Sequence, residues 1–393
     1  MLWAAEAQST AGDQLARVAV LLLVYERTGS AAWSGLMLAL TYLPDLLGTL
    51  GMSWLADRHR RRTVMIASAG VQAAAFAAMA VPGAPMWMLA VLISLATIAL
   101  APYRAAAQAL LYELVVEDDE RLAAQSVFHT TRMIGQVAGL GAGGGIVALI
   151  GANTALLINA LTFGVAAVLL ACGVRRGSRP PSSASTAVWF TRNAITTLAA
   201  DPRLLSALGL MCLAAVTAVP EAVAALLADQ LRVGSAGVGA LLAAHPVGMA
   251  VGIAFAVPRG SAAASRRAAW LVWTSLLPLA GFAMLFLQPS YWIALSLLTV
   301  SGIGLAYHPV LQTEFSSAAP PELLGSITGL ARMALRLSQG CGLLLGGVAA
   351  QATGSAAAAV AGAAVIGCGL AACGLRIRRR AVSSMESDTP ATT

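Results

Sequence analysis

Three carboxylates, Asp13, Asp45 and Glu221, stand inside stretches that are otherwise apolar. A charge in hydrocarbon costs at least about 2.5 kcal/mol, so each must face protein or water. The chemistry open to such an acid is to take up a proton on one side of a barrier and release it on the other. A neighbouring guanidinium favours the ionised carboxylate, whereas burial favours the neutral one. Asp13 precedes Arg17 by four residues, the spacing of neighbours on one helix face, so the two are expected to pair. That makes Asp13 the weakest of the three carriers. Glu221, after Pro220, and Asp45, after Pro44, have no basic residue within a turn. Glu221 is the preferred proton site. The competing reading is a carboxylate neutralised from another segment, by Arg104 or Arg132.

The same stretches hold groups suited to a ligand. Arg17, Arg104, Arg132, Arg332 and Arg336 can grip an anionic group, or simply balance the acids and cap helices. Tyr103, Tyr112, Phe128 and Tyr307 offer aromatic surface, although aromatics at such spacing are more often packing. His245 and His308 each adjoin a proline. A single intramembrane histidine is more often a hydrogen-bonded packing group than a relay. The expected cavity set is Arg17, Tyr103, Arg104, Arg132, Glu221, His308 and Glu314. Nothing points to an enzyme: GxxxxGK[ST] and HExxH are absent, and no Ser/His/Asp set has supporting context. The five cysteines lie in apolar segments without a CxxC pair and read as packing residues. No metal or cofactor is expected.

The elements that must position these residues are membrane helices. The chain is 59% hydrophobic and 10% charged, against roughly 25% charged in soluble domains. Apolar segments of about 20 residues recur, each long enough to cross roughly 30 Å of hydrocarbon as a helix. Twelve spans fit, near 2–25, 32–56, 63–82, 86–113, 122–149, 152–174, 204–228, 235–257, 267–287, 290–315, 323–350 and 354–375. All 24 basic residues are arginine. With both termini cytoplasmic, seventeen arginines fall in cytoplasmic segments and only Arg27 and Arg232 in outer loops, as the positive-inside rule requires. The net charge of +7 is therefore topology, and no nucleic acid is implied. Residues 175–203 join two six-helix bundles, 1–174 and 204–377, and contain a short interfacial helix. Residues 378–393 read as a disordered cytoplasmic tail.

The halves repeat weakly. Gln136, Gly143, Gly144 and Gly151 recur at a constant offset as Gln339, Gly346, Gly347 and Gly354. Spans 3, 6, 9 and 12 carry no charge in their interiors, whereas the other spans do. A pseudo-symmetric bundle around a polar cavity follows, with every third helix fit for lipid. Several stretches carry a family resemblance: Gly12-Asp13-Gln14-Leu15-Ala16, Leu23-Val24-Tyr25-Glu26-Arg27-Thr28-Gly29-Ser30, Pro102-Tyr103-Arg104-Ala105-Ala106 and Ser53-Trp54-Leu55-Ala56-Asp57-Arg58-His59-Arg60-Arg61-Arg62. The chain resembles a twelve-span major facilitator superfamily transporter, in particular the bacterial macrolide-type and siderophore-type exporters. The resemblance implies an all-α membrane protein of two pseudo-symmetric six-helix bundles. It implies export of an amphipathic, drug-like molecule by proton antiport, and so multidrug efflux at the cell membrane by a monomer.

It also implies roles. Ser53, Asp57, Arg58, Arg61 and Arg62 match the loop signature between spans 2 and 3. They are expected to latch the inner gate, with Glu113 as the partner carboxylate. Arg60 stands where the signature has glycine. The run Gly135–Gly145 resembles the exporter signature of span 5, with Leu140 in place of its proline. Gly139, Gly143, Gly144, Gly346 and Gly347 are expected to let helices approach closely.

Overall fold

The computed structural model describes residues 2–52, 59–114, 118–173, 187–256 and 264–388, and among these every regular element is a helix. Among the described residues, ten helical segments are long and apolar enough to cross a membrane. They correspond to spans 3 to 12. The other two spans have physical reasons to differ. Span 1, Leu2–Thr28, carries Asp13 and Arg17 midway. Span 2 is broken into Ala31–Ala39 and Leu43–Met52.

The break in span 2 is set by Pro44. Proline has no N–H to give the carbonyl four residues earlier, and its ring crowds that carbonyl. The carbonyl in question is Leu40 O, which accepts instead from Thr97 Oγ1 of span 4 at 3.1 Å. Inside a membrane such a freed group must be satisfied by protein. A second close approach follows one turn on. A Cβ placed at Gly48 would lie 2.6 Å from Ile98 O, the carbonyl that Pro102 leaves without its helical donor. Spans 2 and 4 are thus drawn together at the level of Asp45. Span 7 is interrupted twice, into Pro202–Met211, Ala214–Ala222 and Ala224–Gln230. Asp201 caps its start, accepting from Arg203 N at 2.8 Å, with Pro202 in the first turn. Span 10 is interrupted between Gly304 and Tyr307.

The halves meet through small residues. Span 2 packs on span 11, where a Cβ at Gly347 would lie 2.5 Å from Ala31 O and 3.0 Å from Gly35 Cα. Span 5 packs on span 8, where Gly144 faces Gly239 in the same manner. Gly143 and Gly346 occupy equivalent places, one against Leu15 and Val18 of span 1, the other against Val219 of span 7. Gly139 rests on Ala11 and Gln14 of span 1. Gly139, Gly143, Gly144, Gly346 and Gly347 thus stand at close helix–helix approaches. Gly151 and Gly354 have positive φ, 80° and 64°, and turn the chain between spans 5 and 6 and between spans 11 and 12. The left-handed conformation there suits glycine.

Spans 6, 9 and 12 present exposed Leu161, Val168, Trp270, Leu277, Val365 and Ile366, the apolar surface that lipid contact needs. Between the halves, residues 187–200 form the expected short helix, Ala187–Ala200. Its Ala194 is buried beside Leu204, Phe315, Ile327 and Ala331. Span 12 differs from expectation at its end: its helix continues from Ala356 to Asp388, so the segment read as disordered from 378 is helical up to that point. The helix continues past the last apolar turn, and buried Arg378 anchors it to Glu314 of span 10.

Candidate functional site

A cavity of about 200 Å³ lies within the bundle. Spans 1, 2, 4, 5 and 11 line it, together with span 3 through Gln72 and Phe76. The last is a departure from the sequence reading, which counted only charges and so left span 3 to lipid. Gln72 is buried and Phe76 stacks on Phe163 of span 6 at 5.7 Å, which holds its ring at the cavity wall.

Ion pairs at the cavity join segments that lie far apart in sequence. Arg17 Nη2 donates to Glu221 Oε2 at 2.6 Å, joining span 1 to span 7 across the two halves. Asp13 lines the cavity beside Arg17. Glu221 therefore has a cation after all, supplied from the opposite half rather than from its own helix. Asp45 likewise has two: Arg104 Nη1 of span 4 at 3.6 Å and Arg336 Nε of span 11 at 3.9 Å. Arg104 is the partner named in the competing reading, but for Asp45 rather than for Glu221. The Tyr42 ring lies at the break in span 2. Arg17 and Arg336 stand over it, their guanidinium carbons 4.9 and 5.2 Å from its centroid. Both distances are within the range of cation–π attraction. Tyr42 thus carries one cation from each half.

Other expected site residues lie elsewhere. Tyr103 is buried with Val64, Met65, Ala107, Leu110 and Leu170 among spans 3, 4 and 6. Glu314 pairs with Arg378 in a separate pocket that Arg203 also lines. His308 stacks on Tyr307 at 4.3 Å and does not line the cavity. His245 Nε2 is 3.1 Å from Ser301 Oγ, which donates to Ser275 O at 2.7 Å; this is the hydrogen-bonded packing role. The side chains of Arg132 and Glu113 lie outside the described residues, as do Ser53, Asp57 and Arg58 of the latch. Arg62 bonds Leu170 O and Ala171 O at the end of span 6, where carbonyls have no helical donor and a cation is favoured. That contact anchors span 3 to span 6 within one half. Tyr42, Gln14, Gln72, Phe76 and Gln136 were missed as site residues, and Arg336 was named only as one cation among several. Gln14, Gln72 and Gln136 were findable as amides in apolar helices. Tyr42 was findable from its place two residues before Pro44.

The architecture has solved counterparts. The structure superposes with a TM-score of 0.77 on a POT family transporter in complex with 5-aminolevulinic acid, at 12% identity over 97% of this chain and 96% of the other. It superposes at 0.73 on a bacterial homologue of the lysosomal transporter Spinster, inward-facing and occupied, at 15% identity over 99% and 97%. A proton-dependent oligopeptide transporter gives 0.71 at 15% identity over 97% and 98%. At these identities the likeness is one of fold. No curated protein matches the chain. The Major Facilitator Superfamily profile matches residues 2–220, more than half of the sequence. Two helical halves packed through small residues around a charged cavity, and that match, have one meaning: the chain is a membrane transport protein belonging to the Major Facilitator Superfamily.

Proposed function

We propose that the protein exports a small amphipathic organic molecule in exchange for protons, by rocking its two halves around the cavity. The observation that carries the coupling is the Arg17–Glu221 bond. It is a charge-assisted link between the halves at cavity level, and a proton on Glu221 removes the anion from it. Proton uptake then loosens one half from the other, which is the change alternating access requires. Asp45, between Arg104 and Arg336, is a second link of the same kind. The arginine asymmetry of the loops supports an orientation with both termini cytoplasmic, in the cell membrane. With that orientation the Gly35–Gly347 and Gly144–Gly239 contacts close the outward side.

Direction has a competing reading, uptake together with protons. The span-5 glycines that resemble an exporter signature are accounted for by contacts with spans 1 and 8, which any direction of transport can use. Proteoliposomes of known orientation decide between the two: an inward-directed proton gradient drives substrate out in the first case and in with the proton in the second. In both, Glu221→Gln is expected to cut gradient-driven transport at least tenfold while leaving exchange down a substrate gradient. Full gradient-driven transport by that variant defeats the role given to Glu221.

A further inference from the structure

We infer that a second pocket, at the arginine-rich end of the second half, binds a phosphate group, with the headgroup of an anionic phospholipid as its favoured source. The site is separate from the transport cavity and does not rest on what crosses there. It lies where span 7 begins and spans 10 and 12 end, and its volume is about 230 Å³. Its charged lining is Arg203 of span 7, Glu314 of span 10 and Arg378 of span 12. Two guanidiniums thus meet one carboxylate, which leaves one positive charge over. The rest of the wall is apolar: Leu204, Ala207, Phe315 and Ala318.

The hydrogen-bond donors are also in excess. Glu314 Oε2 accepts from Arg378 Nη2, one of the N–H donors that a guanidinium carries. Arg378 is only 9% exposed, and its Nε is buried with no hydrogen-bond partner among the described residues. Arg203 Nε is buried and unpartnered in the same way. Asp201, the nearest acid in sequence, accepts the backbone N–H of Arg203 at 2.8 Å as the cap of span 7, and it does not line the pocket. A buried donor without an acceptor is costly. Two such donors on different helices, in a wall with surplus positive charge, call for an anion with several acceptor oxygens. A phosphate supplies them, and guanidiniums bind it strongly.

The setting favours a lipid. Leu205 and Ile377, chain neighbours of Leu204 and Arg378, are 49% and 47% exposed. Spans 7 and 12 therefore offer apolar surface to acyl chains next to the pocket. Arg376 and Arg379 are exposed at the same end of span 12, as basic residues beside an anionic membrane surface are. Basic pockets between membrane helices hold anionic headgroups. The pocket is smaller than the roughly 300–1,000 Å³ of sites for drug-sized ligands, so it admits a headgroup while the chains stay in the bilayer. A phosphate there joins the first turn of span 7 to the ends of spans 10 and 12.

The test uses the purified full-length protein in neutral detergent, with native mass spectrometry and thermal shift as readouts. The probes are dioleoyl phosphatidylglycerol, dioleoyl phosphatidylcholine, glycerol 1-phosphate and inorganic phosphate. Phosphatidylglycerol, whose phosphate has no choline to neutralise it, is expected to bind its tightest site at least tenfold more strongly than phosphatidylcholine. Arg203→Gln, which breaks no ion pair, is expected to weaken that site at least tenfold and to leave the thermal midpoint in phosphatidylcholine unchanged. Glu314→Gln, which removes the competing carboxylate, is expected to tighten it several-fold. Arg379→Gln removes an exposed arginine outside the pocket and is expected to change the affinity less than threefold. Equal losses from Arg203→Gln and Arg379→Gln would mean general attraction to a basic surface and overturn the inference. So would the absence of any preference for phosphatidylglycerol together with no binding of the two free phosphates. Glycerol 1-phosphate and inorganic phosphate also distinguish the sources. If they bind with the same dependence on Arg203, the phosphate site stands and is filled from solution. If only the lipid binds, the site stands and the bilayer fills it.

Discussion

Arg17 shows how a residue's partner is chosen. Sequence spacing offers it Asp13, on its own helix, and its 2.6 Å hydrogen bond reaches beyond that helix to Glu221, 204 residues away in the other half. A surface i,i+4 pair is worth only about 0.2–0.5 kcal/mol. A part-buried pair with a hydrogen bond is worth more, and leaving one member alone costs more again. Either single change, Arg17→Gln or Glu221→Gln, is therefore expected to lower stability by roughly 1–3 kcal/mol. The double change is expected to cost less than the sum, with the coupling read from a double-mutant cycle in thermal denaturation. The double variant regains stability without regaining gradient-driven transport, which separates the structural share of the pair from the proton-carrying one. Additive losses would show that the two groups do not act on each other.

At the scale of elements, the broken span 2 is what makes the site. Pro44 frees Leu40 O, Thr97 accepts the duty, and the turn at residues 40–42 aims Tyr42 at Arg17 and Arg336. Thr97→Val is expected to cost about 1 kcal/mol, the net value of one buried hydrogen bond. Pro44→Ala supplies an N–H to the same carbonyl, so Thr97→Val added to it is expected to cost less than half as much. Equal costs in both backgrounds would mean that the hydroxyl serves something else. Pro44→Ala is also expected to reduce ligand binding at least tenfold. A continuous span 2 would rotate Tyr42 and Asp45 away from their present partners.

The whole molecule is held by contacts that repeat across a pseudo-two-fold axis. Arg17 meets Glu221, and Tyr25 donates to Asp229 at 3.1 Å, and both separations are 204 residues. Both pairs join span 1 to span 7, within one residue of the 203-residue offset at which the glycines recur, as near-equivalent positions of a self-complementary interface do. Gly35 against Gly347 and Gly239 against Gly144 are two copies of one contact under the same operation. Valine at Gly144 or Gly347 has no room there, because backbone atoms stand where its Cβ would go. Gly347→Val is expected to disfavour this arrangement and populate the one in which that end is parted. In a chain whose five cysteines are replaced by alanine, a cysteine at Tyr25 should then react with a membrane-impermeant maleimide several-fold faster in the Gly347→Val background. An unchanged rate would show that these glycines do not hold that end closed.

Much of this was legible in the chain. Apolar segment length, arginine asymmetry, the uncharged third helices and the recurring glycines are local or periodic properties. They determined twelve spans, two halves and a cavity between them, because the cost of polar groups in lipid acts on every residue separately. That charged side chains stand inside apolar spans was legible for the same reason, whereas Glu314 and His308, expected at the cavity, lie elsewhere. Which charges meet was decided by the tertiary structure. Arg17 with Glu221, Asp45 between Arg104 and Arg336, and Tyr42 beneath two guanidiniums all join elements far apart in sequence. Such pairings depend on how the two repeats are turned against each other. That orientation is set by close contact of small residues over whole helix faces, and no local spacing records it.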